Sequence, residues 1–179
     1  GGRLGARLLF VTDPGLTRLG LTGPALASLR AAGAEVTVFD AVEADPSRAT
    51  LDKAVAAGRA AGVTGVVGFG GGSSLDVAKL AALLLGSGED LDAAWGVGLA
   101  KGPRLPLALA PTTAGTGSEV TPVSLITVGE EEKRGVSSPV ILPDIAVLDP
   151  ELTLGLPAAI TAATGVDAMV HAIEAYASK

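Results

Sequence analysis

The sequence predicts an α/β fold in which a mainly parallel β-sheet lies between helices. Apolar residues form 48% of the chain and aromatic residues only 3%, so the core has to be built from aliphatic side chains, as is typical of parallel strands covered on both faces. Short apolar runs also alternate with helical patterns along the first half of the chain. With 179 residues, the chain has room for one domain and the beginning of a second.

The first half of the chain contains three alternations of a strand with a helix. Each predicted strand is a short apolar run that is closed by turn residues. These strands cover residues 7–12, 35–39 and 65–69. Gly33 is expected to end the first long helix. A further helix is predicted over residues 74–85, with Gly86 as its stop.

The second half of the chain changes in character near Pro150. Residues 105–110 predict another buried strand. The later runs SLITV and DIAVL flank the charged stretch 130–134 and are interpreted as a hairpin with a solvated tip. Pro157 fits the first turn of a helix, and residues 165–178 predict a second helix. We therefore expect an α/β domain over residues 1–150 and helices of another domain over 151–179.

The composition restricts the class of partner. The net charge is -6 and the 13 basic residues are scattered, which argues against a nucleic-acid surface. The absence of cysteine excludes disulfides and thiolate metal sites. No apolar run approaches the roughly 20 residues of a membrane helix, and the N-terminus lacks the features of a signal peptide. We expect a cytoplasmic protein whose partners are small molecules or other subunits, with no nucleic acid and no membrane.

A glycine run, Gly70-Gly71-Gly72-Ser73, joins the third predicted strand to the helix that follows. Glycines let the backbone approach an anion closely, and the first amides of the helix point at that anion, so a pyrophosphate is a natural ligand. Ser73 is expected to cap the helix together with Asp76. An ordinary glycine-rich turn is the alternative, because neither G-x-G-x-x-G nor the P-loop pattern is present.

Two other segments follow predicted strands at the same edge of the sheet. Asp40 comes directly after the second strand, where a carboxylate can bind a ribose diol and repel a 2′-phosphate, which favours NAD over NADP. The loop at residues 111–119 is rich in hydroxyls and small residues. A turn aspartate and a hydroxyl-capped turn with a helix cap at Ser118 are the respective alternatives.

Asp167 and His171 are four residues apart, so on a helix they share one face and can hold a single cation. His171 is the only histidine in the chain. A helix salt bridge is the alternative interpretation of this spacing. The pair supplies two ligands, whereas a catalytic metal normally takes three or four from the protein.

Three segments, GGGSSLDVAK, PTTAGTGSEVT and TGVDAMVHAIEAY, closely resemble in this order the iron-containing (group III) alcohol dehydrogenases. The resemblance runs from Val11 to Tyr176. It implies a dehydroquinate-synthase-like fold, with a nucleotide-binding α/β domain, an all-helical metal domain and an active site in the cleft between them. It also implies that this chain is trimmed at both ends and holds only the start of the helical domain.

The resemblance assigns site residues position by position. Gly71, Gly72 and Ser73 correspond to the pyrophosphate contacts, and Asp40 to the contact with the adenosine ribose. The other implied cofactor contacts are Thr112, Thr113, Thr116, Ser118, Lys133 on the ribose side and Leu152 on the adenine side. Asp167 and His171 match the first two metal ligands, and the two remaining histidines lie downstream. The family's asparagine-containing loop after the second strand is replaced here by VEADP.

The implied activity is hydride transfer between an alcohol, or an aldehyde or ketone, and NAD(H). The metal, Fe²⁺ or alternatively Zn²⁺, acts as a Lewis acid. The expected full-length protein is a homo-oligomer with a small alcohol or carbonyl substrate, and the 179 residues alone are expected to be inactive. A hydroxyacid-oxoacid transhydrogenase, a maleylacetate reductase and a non-catalytic dinucleotide-binding module stay open, although Asp167 and His171 argue against the metal-free reductases. No catalytic residue is assigned.

Overall fold

A five-stranded parallel sheet in the order β2-β1-β3-β5-β8 forms the centre of the molecule. The computed structural model describes residues 4–129 and 132–178. The strands of this sheet are β1 (Arg7–Val11), β2 (Glu35–Phe39), β3 (Gly65–Gly70), β5 (Leu107–Pro111) and β8 (Ile145–Ala146). A smaller sheet, in the order β4-β7-β6, contains β4 (Gly96–Val97), β6 (Val123–Val128) and β7 (Glu132–Ser137). The predicted parallel α/β sheet is confirmed.

Helices connect the strands and cover both faces of the main sheet. They are α1 (Pro14–Arg18), α2 (Gly23–Ala31), α3 (Arg48–Ala60), α4 (Gly72–Ser87), α5 (Leu91–Ala94) and α6 (Ala158–Ala177). Short 3-10 helices occupy Ser118–Val120, Pro139–Ile141 and Pro150–Thr153. In the part of the chain that the structure describes, none of the helices has the combined length and apolarity needed to cross a membrane.

The central strands β1, β3 and β5 are buried on both faces of the sheet, because their successive side chains enter different cores. In β1, Leu9 and Val11 join the core formed with α3 and α4, while Leu8 and Phe10 join the opposite core. There the ring of Phe10 stacks on Phe69 of β3, with 5.5 Å between the ring centroids. This two-sided burial explains why the strands are continuous apolar runs in the sequence.

The predicted ends of the helices are partly correct. Gly33, with φ +86°, follows α2 as expected. The predicted stop at Gly86 is wrong, since α4 continues to Ser87 and ends at Gly88, which has φ +66°. Gly86 is needed for close packing, because a Cβ there would lie 2.5 Å from the backbone nitrogen of Leu105.

The predicted hairpin exists, but one of its strands was wrongly assigned. β6, which contains SLITV, pairs antiparallel with β7, which has the sequence EKRGVS. Of DIAVL, only β8 is a strand, and it extends the main sheet beside β5. β7 is a mostly exposed strand with one buried side chain, Val136, so it lacks an apolar pattern. Glu130 and Glu131, in the predicted tip, lie outside the described residues.

The C-terminal segment forms one helix, where the sequence predicted two. α6 starts after Pro157, which is its N-cap residue, and passes through Gly165 without a break. A glycine costs an exposed helix only about 1 kcal/mol, which is too little to end a helix of 20 residues. α6 contacts the α/β unit at Gly115, where a Cβ would lie 2.2 Å from the carbonyl oxygen of Thr164.

The packing of α4 on β3 depends on Gly68. A Cβ at this position would lie 2.8 Å from Ala78 Cβ and 2.7 Å from Leu109 Cδ2. We expect Gly68→Val to lower the free energy of unfolding by about 1–3 kcal/mol, as overpacking does in other cores, measured by urea denaturation. Gly23→Val is the matched control, because in the described residues no atom outside its chain neighbours and its own helix backbone lies within 4 Å of a Cβ at Gly23. Equal unfolding free energies for the two variants would contradict this account of the packing.

Candidate functional site

A cavity of about 480 Å³ opens where β1, β3 and β5 reach their C-terminal ends. Its size is in the range of small-molecule sites, about 300–1,000 Å³. Parallel α/β sheets bind ligands at this edge. The cavity is lined by segments from five parts of the chain: Asp13–Leu16 with Arg18 and Leu19, Val42–Ala44, Gly71–Ser74, Thr112–Thr113, and Leu156, Pro157 and Ile160.

The N-terminal end of α4 lies at this cavity without a side-chain cap. Gly71 is the N-cap residue, and among the described residues no side chain accepts a hydrogen bond from the first turn of the helix. The first-turn amides of a helix have no partner within the helix, and together with the helix dipole they form an anion-binding site. The predicted capping box of Ser73 with Asp76 is wrong, because Ser73 is itself in the helix and the Asp76 carboxylate binds Ser118 and Leu125.

Gly70 and Gly71, both in this turn, are glycine for different physical reasons. Gly70 has φ +147°, and a Cβ there would lie 2.8 Å from Ser74 Oγ, so the backbone itself demands glycine. At Gly71 the backbone is extended, with φ -75° and ψ -179°. A Cβ at Gly71 would make only an ordinary contact, 3.5 Å from Thr113 Cγ2. The small size of Gly71 is therefore not needed for folding, and it leaves space in the cavity.

The loop at residues 112–118 forms the opposite wall. Thr112 is buried, and its amide donates to the carbonyl of Gly70 at 3.0 Å. The Oγ1 atom of Thr113 is buried and has no hydrogen-bond partner in the part of the chain that the structure describes. A buried hydroxyl without a partner costs about 1–3 kcal/mol, so a polar ligand in the cavity would satisfy it. Thr116 lies against the start of α4, where a Cβ at Gly72 would be 3.1 Å from Thr116 Cγ2.

Several residues that the resemblance implied lie outside the lining of this cavity. Asp40 follows β2 directly and is half-buried. Leu152 packs against the core around Phe10. Lys133 extends from β7 to the carboxylate of Asp45 and lines a smaller cavity of about 130 Å³, which Ser73 also lines.

Ser118 belongs to a buried polar network that sequence reasoning missed. Its hydroxyl donates to Asp76 Oδ1 at 2.6 Å and accepts from Lys79 Nζ at 2.8 Å. Lys79 is fully buried, and burial lowers the pKa of its ammonium group. Burial likewise raises the pKa of Asp76. A lysine three residues after an aspartate, within an otherwise apolar helix, was the available signal.

Sequence reasoning also missed the acidic residues in the cavity lining. Asp13 caps α1 by accepting hydrogen bonds from the amides of Gly15 and Leu16 on one oxygen, Oδ1. Glu43 accepts from the Ser47 amide and the Thr50 hydroxyl. An aspartate before a proline and a helical pattern is a recognisable cap signal for Asp13.

The two proposed metal ligands lie together on α6. Nε2 of His171 is 3.7 Å from Oδ1 of Asp167, and both side chains are about half exposed. Within residues 4–129 and 132–178, no group of three or more His, Cys, Asp or Glu side chains is placed to hold a metal ion. The described residues therefore fit part of a metal site, with two donors on one helix face.

Known proteins resemble the chain along nearly its whole length. A sulfoacetaldehyde reductase from Bilophila wadsworthia is 40% identical over 96% of this chain, and a long-chain-alcohol dehydrogenase from Geobacillus thermodenitrificans is 44% identical over 98%. The crystal structure of a 1,3-propanediol oxidoreductase superposes with a TM-score of 0.92 and 39% identity, covering 96% of this chain. In each case the match covers 45% of the relative, so the chain spans about half the length of these proteins.

The family model described as iron-containing alcohol dehydrogenase matches residues 2–150, which include the glycine turn and the loop at residues 112–118. This range is well over half of the chain. The chain therefore belongs to the iron-containing alcohol dehydrogenase family.

Proposed function

We propose that the chain binds NAD(H) in the 480 Å³ cavity and that the protein of which it forms part is an NAD-dependent alcohol dehydrogenase. The observation that carries this proposal is the N-terminus of α4, which has no side-chain cap and faces the cavity. Beside it lies Gly71, a position where the fold would accept a side chain. A pyrophosphate suits this arrangement because its charges face several free amides at the positive end of a helix. Relatives such as the NAD-dependent methanol dehydrogenase of Bacillus methanolicus support the choice of cofactor.

The other walls of the cavity suit the rest of a dinucleotide. The unpartnered hydroxyl of Thr113 would bind a polar group of the cofactor. Asp40, at the same edge of the sheet, would bind the adenosine ribose and disfavour a 2′-phosphate, so we propose NAD in preference to NADP. For Lys133 to reach the cofactor, its pair with Asp45 has to open. Both partners are more than half exposed, so opening costs at most about 1 kcal/mol.

We further propose that residues 151–179 begin a helical domain in which Asp167 and His171 hold a divalent metal. Large apolar side chains on α6, including Met169 and Ile173, are more than 60% exposed, as expected of a helix that other helices cover. Fe²⁺ agrees with the family, and Zn²⁺ accepts the same oxygen and nitrogen ligands. When bound, such a metal supplies Lewis-acid polarisation of an alcohol or carbonyl oxygen.

The names of several relatives support a substrate class: they include a 4-hydroxybutyrate dehydrogenase, a long-chain-alcohol dehydrogenase and a methanol dehydrogenase. We propose a small alcohol, or the corresponding carbonyl compound, as the substrate of the full-length enzyme. A homo-oligomeric assembly and a cytoplasmic location belong to the same proposal.

A second candidate function for the 179 residues by themselves is that of a dinucleotide-binding module without catalysis. The specific observation in its favour is that the described residues place only two metal donors together, Asp167 and His171, whereas a catalytic metal normally takes three or four ligands from the protein. The two candidates share the cofactor site and differ only in the chemistry at α6.

The cofactor site is tested by Gly71→Val. Valine is compatible with the backbone at this position but fills the cavity beside the free amides. We expect the dissociation constant of NADH, measured by fluorescence titration, to rise at least about tenfold, which corresponds to about 1.4 kcal/mol. Gly23→Val is the control and should bind NADH like the parent. Unchanged NADH affinity in a folded Gly71→Val variant would refute the site.

The metal site is tested by calorimetric titration of the 179-residue chain with Zn²⁺ and, under anaerobic conditions, Fe²⁺. Two protein donors leave most coordination positions to water, so we expect weak binding that His171→Ala abolishes. We also expect no alcohol-dependent formation of NADH, because a metal held in this way lacks a fixed geometry. Tight stoichiometric metal binding together with alcohol-dependent NADH formation would show that further metal ligands exist. It would also exclude the interpretation of the 179 residues as a non-catalytic dinucleotide-binding module.

A further inference from the structure

We propose that Asp76 and Lys79 are positioning residues, which hold the loop at residues 112–118 against α4 and so keep the cofactor cavity formed before the ligand arrives. The proposal rests on the proposed cofactor function. Lys79 lines neither of the two cavities, and Asp76 lines only the 130 Å³ cavity, beside Ser73 and Lys133. The Asp76 carboxylate is already bonded to Ser118 and Leu125, so both residues would act on the site through the loop.

The two residues lie one helical turn apart on α4 and bind the same segment. The Asp76 carboxylate accepts the Ser118 hydroxyl on Oδ1 at 2.6 Å and the Leu125 amide on Oδ2 at 2.9 Å. The Lys79 ammonium donates to Ser118 Oγ at 2.8 Å and to the carbonyl of Val123 at 2.7 Å. Ser118 is therefore fixed by both charged groups, and the strand after it is fixed as well.

This attachment determines where the wall of the cavity lies. At its other end, the loop is held by the hydrogen bond from the Thr112 amide to Gly70. Between these two fixed points only a few residues remain, and they include Thr113 and Thr116, which face the glycines at the start of α4. Releasing Ser118 would let these threonines move away from the free amides.

Burying the charges of Asp76 and Lys79 costs desolvation free energy, so we infer that the pair contributes more to the position of the loop than to the stability of the fold. Lys79 is fully buried, and burial disfavours the charged forms of both side chains, lowering the pKa of Lys79 and raising that of Asp76. A buried ion pair is often no more stabilising than apolar side chains of similar volume. An apolar pair at these positions, however, would form no hydrogen bonds to Ser118, Val123 or Leu125.

The double variant Asp76→Leu/Lys79→Met separates positioning from stability, because it removes both charges together and leaves none unpaired. We expect the variant to fold with a somewhat lower urea denaturation midpoint, because the hydrogen bonds to Ser118, Val123 and Leu125 are lost, while the NADH dissociation constant, measured without urea, rises about tenfold or more. Amide hydrogen exchange in residues 114–121 should accelerate by a similar factor, whereas exchange in β3 should not change. Ser87→Ala, which removes a hydroxyl bonded to Leu83 and Glu89 at the other end of α4, is the control and should alter neither quantity.

If the double variant fails to fold, Ser118→Ala provides the same test, because it removes the shared hydroxyl and leaves the charge pair intact. Accelerated exchange in the loop and weaker NADH binding would support the proposal in either variant. Normal NADH affinity with a rapidly exchanging loop, or unchanged exchange in the loop, would overturn it. Failure of the parent chain to bind NADH would refute the cofactor site, whereas the exchange comparison would still decide whether the pair holds the loop.

Discussion

The close packing of α4 along β3 is the constraint on which the rest of the structure depends. It is possible because Gly68 has no side chain to separate the helix from the sheet, and Gly86 brings the far end of α4 against the segment before β5. A helix placed in this way starts where β3 ends, beside the ends of β1 and β5. The same packing that fills the core thus places free backbone amides at the edge of the sheet, where the cavity lies.

Two kinds of contact then shape the cavity around these amides. Backbone conformation sets the turn itself, since Gly70 adopts a φ that other residues rarely reach. Polar side chains of α4 set the opposite wall, because Asp76 and Lys79 bind the end of the loop that carries Thr113. α4 therefore contributes to the site in two ways: the backbone amides of its first turn face the cavity, and the side chains of Asp76 and Lys79 in its second turn hold the loop. This arrangement explains why a long, largely buried helix contains a charged pair at all.

Sequence patterns predicted the central strands β1, β3 and β5 well, because these strands are buried on both faces and appear as uninterrupted apolar runs. They failed where tertiary contacts decide the structure. β7 was missed because only Val136 of its side chains is buried, and the assignment of Asp76 to a helix cap failed because its partners, Ser118 and Leu125, lie more than 40 residues away. The glycine turn and the threonine loop were found because glycines and hydroxyls at strand ends carry a local signal, whereas the spacing of Lys79 from Asp76 signals a charged pair in an apolar helix but does not show which distant residues the pair binds.

The central claim is that the first-turn amides of α4 bind the pyrophosphate of NAD(H). The most direct test is an NMR titration of the ¹⁵N-labelled chain, whose mass of 17.5 kDa suits the method, with NADH and then with inorganic pyrophosphate. The account predicts that the amide resonances of Gly72, Ser73 and Ser74 shift most with both ligands, and that Thr113 shifts in addition with NADH. Largest shifts elsewhere, with these three amides unchanged at saturation, would contradict it.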